Sequence, residues 1–173
     1  TMLNLISQIR DMNAFSPEGS QGFAWWYVDL VGEDGSGVVL IWGLRNPFLP
    51  LRDDGLAPSI SLVAYEKGKK VFSLHQVYAE HDYSCAEGVW RVRDSTFEWS
   101  RRFGQGVLTV SLDCPIPGSR ERLLGHFCVW GAEPERPQGQ DVDAELGWCH
   151  FLMRGMGEGK LDWGDGFVQL KGR

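Results

Sequence analysis

The chain has 173 residues, enough for one domain with a sizeable core. Acidic residues outnumber basic ones 23 to 17, a formal net charge of −6, and the Lys and Arg are scattered, which argues against nucleic acid or an anionic membrane surface as a partner. No apolar run approaches the roughly 18 residues of a membrane span, and 22 Gly with eight Trp suit short strands and tight turns rather than helices.

Residues 2–12 (MLNLISQIRDM) carry Leu3, Ile6 and Ile9 near helical spacing, and predict a short N-terminal helix that must lie on something, with a loop at 16–20 after it. The segment Gly22–Leu30 (GFAWWYVDL) holds four aromatics and reads as a strand. Its period of two puts Phe23, Trp25, Tyr27 and Asp29 on one face, and Ala24, Trp26, Val28 and Leu30 on the other. The first face, aromatic with a phenol and an acid, would suit the lining of an apolar cavity with a few polar groups. The plainer alternative is a strand buried on both sides, with Tyr27 and Asp29 hydrogen-bonded near the rim.

A glycine-rich turn at 32–37 leads into Val38–Leu44, apolar on both faces. A proline-flanked loop at 46–50 and a turn at 53–55 follow. Ser59–Tyr65 alternates, with Ile60, Leu62 and Ala64 together, and the turn at 66–69 returns the chain along Val71–Glu80. Short strands are expected at Val89–Val92, Ser95–Trp99, Val107–Asp113 and Leu123–Trp130, the last with His126, Cys128 and Trp130 on one face. Residues 131–145, rich in Glu, Pro, Gln and Asp, read as a mobile surface loop. Trp148–Met153, Leu161–Trp163 and Phe167–Lys171 close the series, with Gly155–Gly159 read as a hairpin turn. About ten strands with turn signals every 8–12 residues give an all-β antiparallel domain over 1–173. Closure into a lipocalin-like β-barrel would hide the edges, and a β-sandwich is the alternative.

The stretch FAWWYVDL, its glycine turn and the hairpin SISLVAYEKGKKVFSL resemble the carotenoid 1,2-hydratase (hydroxyneurosporene synthase) family, most specifically at Trp25, Trp26, Tyr27 and Asp29. The resemblance implies a lipocalin-like barrel around a long polyene, with cofactor-free addition of water to a double bond. Related two-barrel proteins carry out Diels–Alder and terpenoid cyclisations. Family members carry two such barrels, so the chain would be either the N-terminal half of a hydratase or a stand-alone single-barrel relative. A second barrel domain or a homodimer is then the expected protein partner.

Hydration needs a general acid, and Asp29 beside Trp25 and Tyr27 would fit, since a carboxyl in an apolar wall has its pKa raised; a rim carboxylate fixing a loop is the alternative. Cyclisation by confinement needs less: a folded chain and one hydrogen bond to a carbonyl, donated by Tyr27, His75, His126 or Trp130. Phe23, Trp25, Trp130 and Trp148 are the candidate rings that grip the substrate. The four His are separated by 5, 44 and 23 residues, which matches no metal motif, and no phosphate loop or GxSxG elbow occurs. No cofactor or metal is expected. Four widely spaced Cys read as free thiols of a cytoplasmic protein. The leading expectation is a cyclase acting on a hydrophobic polyene-like polyketide or isoprenoid; a non-catalytic carrier of such a ligand is the rival.

Overall fold

The structure, a computed structural model, describes residues 24–44, 56–132 and 153–172. Eleven antiparallel strands occur within them: β1 (Ala24–Val31), β2 (Gly37–Leu44), β3 (Pro58–Glu66), β4 (Lys69–Val77), β5 (Tyr83–Ala86), β6 (Val89–Val92), β7 (Ser95–Arg102), β8 (Gln105–Pro115), β9 (Arg122–Ala132), β10 (Met153–Asp162) and β11 (Phe167–Gly172). β1 to β4 form a four-stranded sheet and β5 to β11 a seven-stranded one, each a meander in chain order. Among the described residues there is no α-helix. The helix expected over 2–12, the loops at 16–20, 46–50 and 53–55, and all but the first two residues of the 131–145 loop lie outside them.

Strand formation follows the alternation of the sequence. Trp26, Leu30, Val38, Leu40, Trp42, Ile60, Leu62, Ala64 and Leu74 of the first sheet share a core with Trp90, Phe97, Leu108, Val110, Leu112, Phe127, Leu161 and Leu170 of the second. Two-residue turns join several hairpins, and Lys67-Gly68, Glu87-Gly88 and Phe103-Gly104 take positive φ at both positions, the geometry that matches strand twist. In the β1–β2 turn Asp34 accepts the backbone N–H of Ser36 at 2.9 Å and its hydroxyl at 3.0 Å.

The closed barrel does not form among the described residues. β4 and β5 are both sheet edges with no ladder between them. The chain leaves the first sheet through Tyr78, whose N–H donates to Pro58 O at 2.8 Å, and passes a short 3-10 turn at Glu80–Asp82 before Arg93 N–H reaches Asp82 O at 3.0 Å. Those bonds turn the chain into the second sheet instead of extending the first. On the opposite side the sheets meet at a single bridge, Gly32 with Gly172. β11 is held at its other end by Trp163, which stacks on Phe72 of β4 at 5.0 Å.

Gly155–Gly159, expected as a turn, instead lies inside β10. A Cβ on Gly159 would collide with the carbonyl of His126 and the ring of Phe127, and one on Gly157 would meet Leu30 Cδ1 at 3.0 Å and Cys128 O at 3.1 Å. These glycines therefore serve close approach of β9 and β1 to β10, a second use of glycine within strands.

Candidate functional site

The outward face of the first sheet carries most of the residues singled out from the sequence. Ladder register aligns Tyr27 with Ile41, Ser61 and His75 across β1 to β4, and Asp29 with Val39, Val63 and Ser73 in the next row. Asp29 and His75 are exposed there, while Trp25 and Tyr27 are half-buried. Tyr27 is hydrogen-bonded to Asp29; partial burial, then the charge and hydrogen bond of that carboxylate, raise the Tyr27 pKa above the ordinary phenol range. Ser61 Oγ and His75 Nδ1 are hydrogen-bonded at 2.5 Å, a cross-strand polar pair. Trp25, Tyr27, Asp29 and His75 thus share one face. His126 and Trp130 lie on the outward face of the second sheet, where His126 is exposed and Trp130 half-buried. Phe23 and Trp148 lie outside the described residues.

The expectation that the Trp25–Tyr27–Asp29 face points inward is therefore corrected: the inward face of β1 is the apolar one, with Trp26 4% and Leu30 1% exposed. The reason is chemical. Turning β1 over would bury the Asp29 carboxylate and expose Trp26 and Leu30, at a cost of several kcal/mol.

Between the sheets runs a column of rings that the sequence did not assign to function. Trp26 and Trp42, directly opposed on β1 and β2, stack at 6.3 Å between centroids. Trp42 stacks on Phe97 of β7 at 4.4 Å, Phe97 meets Trp90 of β6 edge-on at 5.3 Å, and Trp90 meets Tyr83 of β5 at 5.3 Å. These separations lie in the favourable range for aromatic pairs. The column crosses from the first sheet to the second, so it is the main lateral tie on the open side.

The polar content of the column is unusual. The indole N–H groups of Trp26, Trp42 and Trp90 are buried with no hydrogen-bond acceptor among the described residues. Each such donor costs about 1–3 kcal/mol. The described buried residues around them are apolar apart from Ser36, Ser59, Ser95, the phenol of Tyr78 and the thiol of Cys114, so this set holds no carboxylate, imidazole or amine. Ser95 is already engaged: its Oγ accepts Asp113 N–H at 3.0 Å and lies 3.4 Å from Cys114 Sγ. Tyr83 has its pKa pushed up by burial and then by neighbouring Cys85, so it is a neutral phenol across the physiological range. The signal for this column was present in the sequence: Trp at strand positions where Leu or Phe would bury as well, each adding an N–H that needs a partner.

Among the described residues no three metal-ligating side chains converge. Cys114 and Cys128 are free thiols, Cys85 is hydrogen-bonded to Tyr83, and no described helix is long and apolar enough to cross a membrane. Fold and column together define an all-antiparallel β-protein with a tryptophan-rich core. Comparison with protein-family models, curated proteins and solved structures finds no match.

Proposed function

We propose that the protein holds an apolar, unsaturated small molecule bearing hydrogen-bond acceptors along the indole edges between its sheets, and cyclises it without a cofactor. The observation that carries this reading is the set of orphan indole donors at Trp26, Trp42 and Trp90. Carbonyl oxygens of a polyene-like polyketide or oxidised isoprenoid would satisfy them. The same hydrogen bonds withdraw electron density from a conjugated system, which lowers the barrier to an intramolecular cycloaddition. Holding a flexible chain in one folded shape removes entropy from the activation step. Flat indole faces favour π-rich or cationic guests. The resemblance of FAWWYVDL to the carotenoid hydratase group suggests a polyene as the substrate class.

Hydration is the less supported chemistry. Asp29, its candidate acid, is exposed on the outer face beside Tyr27 and away from the column. A carrier without chemistry is the second reading, favoured by the lack of a carboxylate or imidazole among the described buried side chains. Incubation with conjugated polyenals, followed by mass spectrometry, separates the three. Isomeric products of unchanged mass are expected. Products heavier by one water would restore hydration, and bound but unchanged polyene would leave the carrier.

A further inference from the structure

β4 closes the four-stranded sheet on one side, and among the described residues its only ladder is with β3. It is nine residues long, whereas β5, the facing edge of the other sheet, has four. An edge of that length is a template for a further strand unless the sequence blunts it. Lys69 and Lys70 stand at the hairpin end, but from Val71 to Val77 there is no proline and no Lys, Arg, Asp or Glu. Val71 leaves its side chain 40% exposed there.

One bond sets which backbone groups face outward. Tyr78 N–H donates to Pro58 O at 2.8 Å, and the register runs on from that pair without a break, from Ser59↔Val77 to Ala64↔Phe72. Opposite residues of an antiparallel ladder alternate between bonded and non-bonded pairs. Phe72, Leu74 and Gln76 therefore bond to β3, and the N–H and C=O groups of Ser73 and His75 point away from it. No backbone bond to these groups occurs among the described residues.

We propose that this edge pairs with the same edge of a second copy, antiparallel about a two-fold axis at Leu74, joining two four-stranded sheets into one of eight. In that register Ser73 lies opposite His75 of the second copy, so the free groups of both residues exchange four hydrogen bonds across the axis. Leu74 meets Leu74, and Val71 lies opposite Val77, so like chemistry faces like along the seam. Moving the axis by one residue would set His75 against His75 or Val71 against His75. Charge also fits: Lys69 and Lys70, both exposed, come alongside the chain leaving β4 of the second copy, where Glu80 is exposed. A seam of under ten residues a side falls short of the roughly 20–30 of a standard interface, so the dimer forms in a concentration-dependent way. This inference stands whether or not the interior binds a polyene.

The test is sedimentation velocity of the intact protein from about 1 to about 300 μM, where the mass is expected to rise from the 19.5 kDa of one chain towards twice that value. Ser73→Pro removes an N–H that the monomer does not use, so the chain keeps its ladder with β3 while the dissociation constant rises about tenfold or more. Ser73→Lys, the usual way of blunting an edge, is expected to do the same and decides the matter should the proline variant not fold. Register is read by cross-linking. Bonded opposite residues have Cα atoms about 5.5 Å apart, within disulfide reach, and diagonal ones about 7–8 Å apart, beyond it. A mixture of Ser73→Cys and His75→Cys proteins should therefore form a disulfide dimer on mild oxidation, and either variant alone no more than the parent. A parent that stays monomeric throughout, folded Ser73→Pro or Ser73→Lys protein that associates like the parent, or a mixture that cross-links no better than its components would each overturn the proposal. An extended segment of another protein as the true occupant would leave the pure chain monomeric, the first of these outcomes.

Discussion

Phe97 is the residue through which the two sheets grip one another, and its replacement gives a quantitative expectation. The ring is 0% exposed, stacks on Trp42 at 4.4 Å and meets Trp90 edge-on at 5.3 Å. Phe97→Ala removes the ring and leaves a hole between indoles that cannot close up, because both are held by ladder registers on other strands. Such truncations cost about 3–5 kcal/mol, a large part of the roughly 5–15 kcal/mol that stabilises a domain. For a chain of this length the melting temperature should fall by about 6–20 °C. Phe97→Leu keeps most of the apolar volume but loses two aromatic pairs, each about 0.5–1.5 kcal/mol, so it should cost about 1–3 kcal/mol. Urea unfolding of the three proteins, followed by tryptophan fluorescence, measures both differences, with the slope expected to stay constant. A loss below about 1 kcal/mol for Phe97→Ala would show that the ring column does not tie the sheets together.

Other expectations follow from single contacts. Gly159→Ala places a methyl against the His126 carbonyl and Phe127 ring and should destabilise by about 1–3 kcal/mol or more in the same urea assay, whereas Gly68→Ala, with open space around it, should suffer only the strain of its positive φ. Burial raises the pKa of Tyr78 and Tyr83, so the folded state holds their protons more tightly than the unfolded chain. Stability is therefore full below pH about 10, where a free phenol ionises, and falls as the pH climbs above it; Tyr83→Phe should flatten that alkaline limb in thermal melts. The Asp34 pKa is lowered by hydrogen bonds from the Ser36 backbone N–H and hydroxyl, so its contribution is present above the usual carboxyl range and lost on acidification. Asp34→Asn should shrink the drop in melting temperature below pH about 4. Trp42→Phe removes an unpaired donor while keeping a ring, so ligand affinity should fall by about tenfold, while calorimetry shows a smaller stability loss than Phe97→Ala.

The strands themselves were legible because alternation is a local signal. Ile60, Leu62 and Ala64, or Leu108, Val110 and Leu112, share a face in the sequence and in the core alike. Which face of β1 points inward was harder, since periodicity groups residues without saying where the core lies. Tyr27 bonded to Asp29 makes a self-satisfied outer pair, and the all-apolar set of Trp26, Val28 and Leu30 goes inside. Gly155–Gly159 looked like a turn because glycine's two uses, positive φ and close approach, cannot be told apart without the neighbouring strands. β5, the four residues Tyr83–Ala86, was missed because so short an edge strand is defined by its partner β6 rather than by its own pattern. Barrel closure depends on whether β4 finds β5, a long-range event decided by the hydrogen bonds of Tyr78 and Arg93.

The account turns on the indole N–H groups that are buried without a partner among the described residues. Their proton–nitrogen resonances can be followed directly in protein carrying nitrogen-15 tryptophan, each assigned by single Trp→Phe replacement. Titration with a conjugated polyenal is expected to shift the resonances of Trp26, Trp42 and Trp90 downfield as they gain an acceptor, and to leave that of half-buried Trp130 in place. Binding that moves only Trp25 or Trp130, with the three interior signals unchanged, would contradict it.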